Sequence, residues 1–138
     1  MVTAGYSGTP LLKKLGIKTE MKILLLDAPP DYFHILEADI SSQLCSIKDI
    51  PDMVHLFAKN NNGFVKAMLS LKPLYKKNTA MIIWVSWYKK SSGIATDITE
   101  DNIRNFALQH DLVDVKVCAV NEQWSGLKLV VPLAKRKK

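Results

Sequence analysis

The sequence predicts an α/β fold: a three-layer sandwich on a mostly parallel sheet, closed by a C-terminal antiparallel hairpin. Three observations carry this reading. Apolar runs at residues 22–27, 52–58 and 80–87 lack the in–out alternation of a half-exposed strand, which suits strands covered on both faces. Stretches with helical spacing separate these runs. The chain then ends in two more strand-like runs, 114–120 and 127–131, around the turn residues 121–126. A chain of 138 residues, 48% of them hydrophobic, is expected to form one domain with a sizeable core. Residues 1–8 read as an N-terminal extension and 133–138 as a flexible basic tail.

Each element has a local reason. Thr9 is placed to cap, and Pro10 to open, a short helix over 10–15 that stops at Gly16. Leu11, Leu12 and Leu15 would pack while Lys13 and Lys14 face water. The first strand ends in Asp27, and Ala28, Pro29, Pro30 and Asp31 form a turn. A helix over about 31–38 follows, and then a short strand over 44–47. A polar loop at 59–63 offers Asn61 or Asn62 as the cap of a helix with Phe64, Val65, Met68, Leu69 and Leu71 at helical spacing. That helix is expected to stop before Pro73. The run 80–87 is the most apolar and reads as the central strand. Thr99, followed by Glu100, Asp101 and Asn102, favours a helix start, with Ile103, Phe106, Ala107 and Leu108 inward.

Composition narrows the functional classes. Lys135, Arg136, Lys137 and Lys138 supply four positive charges of a formal net +6, so the tail is the part of the chain that suggests nucleic acid. Cys45 and Cys118 sit in apolar stretches and read as reduced core thiols, with no zinc-type spacing. His34, His55 and His110 are scattered and form no metal spacing. His55 reads as a strand residue. No run is long enough to span a membrane, and residues 1–6 lack a signal-peptide pattern, so the expected compartment is the cytoplasm.

The order of elements from 52 to 131 resembles the C-terminal half of a class I methyltransferase sheet: strand, helix, strand, helix, terminal hairpin. Such a Rossmann-like fold carries a glycine-rich turn after its first strand. Here that turn is Asp27-Ala28-Pro29-Pro30-Asp31, where the prolines lack the N–H groups that cradle an anion. Adenosylmethionine is therefore disfavoured and no cofactor is predicted. A second resemblance covers most of the chain. Tyr6-Ser7-Gly8-Thr9-Pro10-Leu11, Lys13-Lys14-Leu15-Gly16-Ile17, Lys89-Lys90-Ser91-Ser92-Gly93, the stretch from Thr96 to Asp101, the stretch from Leu112 to Val120 and Trp124-Ser125-Gly126-Leu127 are similar to a family of small bacterial proteins of unknown function. That resemblance implies no activity.

In a parallel sheet, ligands lie beyond the C-terminal strand ends. Asp27, Lys59, Asn60, Trp87, Tyr88, Lys89, Lys90, Ser91, Trp124 and Ser125 would meet there, with Thr96 and Asp97 on the loop that follows. Lys89 and Lys90 suit a phosphate or carboxylate, helped by Ser91, Ser92 and Gly93. Trp87, Tyr88 and Trp124 suit a planar ligand, or else pack a loop onto the sheet. Asp27 is a candidate base if buried near a lysine, or else an acceptor for its own turn. Thr96 and Asp97 are candidate polar contacts, or else turn caps. The expected role is a non-catalytic Rossmann-like module binding a small anionic or nucleotide-like ligand, or a protein partner, at this edge. A divergent methyltransferase-like enzyme and a nucleic-acid-associated protein acting through the tail are the alternatives.

Overall fold

The computed structural model describes residues 10–136. Five strands, β1 (Ile23–Leu26), β2 (Met53–Ala58), β3 (Ile82–Tyr88), β4 (Val113–Ala119) and β5 (Trp124–Val130), form one mixed sheet in the order β1-β2-β3-β5-β4. β1, β2 and β3 run parallel, and β5 runs antiparallel between β3 and β4. β3 is therefore central, as its apolar run predicts. All six residues of β2 are buried, which explains the absence of alternation there.

Two apolar clusters cover the two faces of the sheet. Helices α3 (Asn61–Lys77) and α4 (Glu100–Gln109) bring Phe64, Met68, Leu71, Tyr75, Ile103 and Ala107 onto Val54, Leu56, Ile83, Val85, Leu127 and Leu129. The short helices α1 (Leu11–Leu15) and α2 (Tyr32–Leu36) bring Leu11, Leu15, Tyr32 and Leu36 onto Ile23, Met53, Phe57, Trp84 and Trp124. The indole N–H of the fully buried Trp84 donates to the Leu15 carbonyl at 3.0 Å, tying α1 to the central strand. Gly16 ends α1 at φ 78°, a left-handed cap that glycine adopts without strain. Pro10 stands at the N-cap of α1 rather than inside it, and Thr9 lies outside the described residues.

Several elements depart from expectation, each for a local reason. Residues 44–47 contribute only one bridge, Leu44 to Ile23. A turn wins there because Asp49 Oδ2 accepts from Ser46 N at 3.0 Å while Ser46 O accepts from Asp49 N at 3.0 Å. The residues read as a loop at 61–63 are the first turn of α3, and its cap is Asn60, whose Oδ1 accepts from Gly63 N at 2.7 Å. The same helix runs through Pro73 instead of stopping before it. Proline removes the donor to the carbonyl of Leu69, a residue that is 49% exposed on the outer side of the helix. Beyond Pro73, Tyr75 is buried and its hydroxyl donates to the His110 carbonyl at 2.7 Å. An interior proline costs about 3 kcal/mol, and burying a large apolar side chain returns about 1.5–3 kcal/mol. Leu71 and Tyr75 together offset the break.

In α4, Leu108 points outward, 58% exposed, while Ile103 and Ala107 face the sheet. The capping box at the start of α4 pairs Thr99 with Asn102. β4 shifts register between Asp114 and Lys116, a bulge that leaves Val115 exposed. In the basic tail, Leu133–Lys135 form a single 3₁₀ turn, Lys135 pairs with Asp111 at 2.9 Å, and Arg136 Nε donates to the Val131 carbonyl at 2.9 Å. This part of the tail is bonded to the body rather than loose. Lys137 and Lys138 lie outside the described residues.

Candidate functional site

The C-terminal ends of β1, β2 and β3 and the start of β5 share one edge of the sheet. The register pairs Ala58 with Trp87, Trp87 with Ser125, and Tyr88 with Trp124. Lys89 N donates to the Gln123 carbonyl at 2.8 Å, carrying the ladder one residue past β3. Lys90–Ser92 then form a 3₁₀ turn that Gly93 closes at φ 74°. Gly93 N donates back to Lys90 O at 3.2 Å, and Ser92 Oγ donates to Lys89 O at 2.6 Å.

The rest of this loop is pinned to the neighbouring strand–helix junction. Thr96 Oγ1 donates to the Lys59 carbonyl at 2.9 Å, and Asp97 Oδ1 accepts from Asn61 N at 2.7 Å. Ile98, 2% exposed, anchors the segment in the core. Thr96 and Asp97 thus act as turn and helix caps. Asn60 and Asp97 between them occupy two of the N–H groups at the start of α3, so that helix end is turned to its own chain rather than to an anion.

Between this loop and the start of α4 lies an open groove of about 770 Å³. Trp87, Tyr88, Lys89, Lys90 and Gly93 form one wall; Ile94, Thr96, Ile98, Thr99, Glu100 and Asp101 form the other. The charge is divided. The lysines stand on the strand side, whereas Glu100 and Asp101 face Arg104, which pairs with both. Arg104 also donates to Asp114 at 3.1 Å, and its hydrogen bonds to Glu100 and Asp114 raise its pKa further, so it stays charged. One guanidinium shared among three carboxylates leaves this wall acidic. The lysine wall is the side that can hold an anion.

The aromatic residues do not act together. Trp87 is 8% exposed and belongs to the cluster under α3 and α4. Trp124 is 4% exposed and belongs to the cluster on the opposite face, where Tyr88 stacks on it at 4.2 Å and Phe57 meets it edge-on at 4.9 Å. One planar ligand cannot lie against both tryptophans. Asp27 is exposed, at φ 56°, and does not line the groove. Among the described residues its carboxylate neither meets a lysine nor accepts from the Pro-Pro turn. Lys59, Asn60, Ser91 and Ser125 surround the edge without lining the groove.

Behind the edge sits a polar chain that sequence reasoning missed. Tyr32 Oη is hydrogen-bonded to His55 Nδ1 at 2.8 Å, and His55 Nε2 to Ser86 Oγ at 2.7 Å. His55 and Ser86 are fully buried. Burial pushes the imidazole down to about 3 and the Tyr32 hydroxyl well above its ordinary range. The ring is neutral, so one nitrogen donates and the other accepts, and both hydroxyls can complement either choice. The ring also stacks on Phe57 at 4.3 Å. The signal in the sequence is one polar residue inside each of two apolar runs, His55 in β2 and Ser86 in β3. Buried polar groups need partners, and adjacent strands supply them.

Among the described residues, no three His, Cys, Asp or Glu side chains are grouped to hold a metal ion. No described helix is long and apolar enough to cross a membrane.

Comparison with known proteins identifies the fold. No protein-family model matches the chain, and no curated protein matches it in sequence. Solved structures do match. One is an NADB-Rossmann superfamily protein of Streptococcus agalactiae, at TM-score 0.54 and 10% identity, covering 89% of this chain and 68% of that one. Another is an uncharacterized protein of Listeria monocytogenes serotype 4b, at TM-score 0.54 and 10% identity, covering 94% and 70%. A third is a candidate tRNA (m1A22) methyltransferase of Streptococcus pneumoniae, at TM-score 0.54 and 8% identity, covering 94% and 72%. At such identities the likeness is one of fold: this chain has a Rossmann-like, methyltransferase-like α/β architecture.

Proposed function

We propose that the chain is a non-catalytic Rossmann-like module, a three-layer sandwich closed by a hairpin, that binds a small anionic or nucleotide-like ligand in the groove beside Lys89 and Lys90. The observation that carries this reading is the pinned loop. It sets two lysines on one wall of an open groove at the end of the central strand, where sheets of this class receive ligands. The exposed Lys90 ammonium supplies the donor to the anion, on a turn whose own N–H groups at Ser92, Gly93 and Ile94 are held within the loop. A second reading, a divergent methyltransferase-like enzyme, draws on the likeness to the candidate tRNA methyltransferase. Against it stands the Asp27–Asp31 turn, whose prolines remove the N–H groups that a cofactor phosphate or carboxylate would use.

Thermal unfolding separates the two. Adenosine monophosphate and inorganic phosphate are expected to raise the unfolding midpoint, since a ligand at a hundred times its Kd adds about 2.7 kcal/mol. Lys90→Ala is expected to weaken that shift while leaving the unliganded midpoint in place. Stabilisation by adenosylmethionine, untouched by Lys90→Ala, would establish the second reading instead. No shift with any of the three overturns both.

A further inference from the structure

The two faces of the β4–β5 pair carry opposite charge. Toward α4, Asp114 meets Arg104 at 3.1 Å, and Arg104 gathers Glu100 and Asp101 as well. On the other face, the register sets Lys116 of β4 directly opposite Lys128 of β5. Such partners have Cβ atoms about 5 Å apart, and like charges there repel. Two residues along, Gly126 lies against the Trp84 ring and the Cys118 sulfur, which places this patch on the side that α1 covers. Lys14, in the last turn of α1, adds a third positive charge that acts on Cys118. Burial raises the pKa of the Cys118 thiol, and the charges of Lys14, Lys116 and Lys89 all oppose that rise. Charges from α1, from β4 and from the end of β3 thus act on one thiol. Among the described residues, no carboxylate pairs with Lys14, Lys116 or Lys128. The large aromatic rings beneath, Trp84 and Trp124, are 0% and 4% exposed, so they offer no platform for stacking bases.

We propose that this lysine face binds the phosphate backbone of duplex nucleic acid without reading its sequence. The fold holds Lys116 against Lys128, and among the described residues no carboxylate pairs with them or with Lys14. A duplex backbone presents closely spaced anions that relieve the repulsion and release condensed counterions. Buried rings favour backbone contact over single-strand stacking. The proposal uses a different face from the groove and stands or falls apart from it.

The test is fluorescence anisotropy of the full chain with a labelled duplex DNA of about 20 base pairs, across a salt series. About three phosphate contacts predict a slope of log affinity on log salt near −3. Lys116→Gln with Lys128→Gln is expected to lower affinity about tenfold or more at low salt and to flatten the slope by about two. Lys135→Gln, in the tail, is expected to leave both within experimental error. The thermal midpoint of the double variant is expected to rise in low salt, because the opposed charges are gone. Unchanged DNA binding by the double variant overturns the proposal. So does equal competition by polyglutamate, tighter binding of single-stranded than duplex DNA, or a fall in the double variant's midpoint.

Discussion

Ser86 and Lys90 lie four residues apart along β3 and its extension, in opposite settings. Ser86 is closed into a chain with His55 and Tyr32, each polar atom satisfied by the next. Lys90 stands exposed on a groove wall, on a 3₁₀ turn that Gly93 closes. The difference separates two uses of polarity. Inside the sheet, polar groups fix α2 to β2 and β3, and they are saturated. At the end of β3, by contrast, the Lys90 side chain is exposed on the groove wall. A change inside should therefore appear as stability, and a change at the edge as binding.

The sharpest way to break this contrast is His55→Ala, which leaves a cavity and two unpartnered hydroxyls. It should cost about 3 kcal/mol or more in denaturant unfolding near neutral pH. The cost should depend on pH. The folded imidazole titrates near 3 and the unfolded one near 6.5, so below 6.5 the unfolded chain takes up a proton that the folded chain refuses. The wild type then loses about 1.4 kcal/mol per pH unit from this group, until pH approaches 3. Its lead over His55→Ala should narrow between pH 6.5 and 4.5. A constant lead would mean that the ring is not held neutral. Tyr32→Phe keeps the packing and removes one partner; it should cost about 1–3 kcal/mol in the same measurement, and no cost would show the hydroxyl to be idle.

At the edge, Gly93→Ala probes the loop alone. Nothing lies within 4 Å of the added methyl, so only the left-handed backbone at φ 74° resists it. About 1 kcal/mol of destabilisation is expected, together with weaker binding of phosphate ligands as the turn relaxes. Binding unaffected by a strained turn would separate the lysines from the loop that presents them.

Much of this architecture is legible in the sequence. The apolar runs of β1, β2 and β3 announce strands covered on both sides, and Thr99 announces α4. What escapes are the points where tertiary contact overrides local chemistry. Pro73 reads as a stop, yet Leu71 and Tyr75 have places in the core on either side of it. Asn60 reads as loop, yet the strand delivers it in the extended conformation a cap requires. At the candidate site, composition identifies Lys89 and Lys90, but it cannot say that Trp87 and Trp124 face opposite ways. That follows from strand alternation once the register is known. Glu100 and Asp101 reach the groove wall only because the loop before them folds back onto β2 and α3.

The bulge at Val115 has a consequence for solubility. Among the described residues β4 is the outer strand of the sheet, with one row of backbone groups unpaired, and Val115 and Val117 stand 54% and 50% exposed along it. A straight, apolar edge of that kind would invite a second chain to add a strand. The extra residue kinks the row, and Lys116 puts a charge between the two valines. The border of the sheet is thereby made a poor template for its own copies.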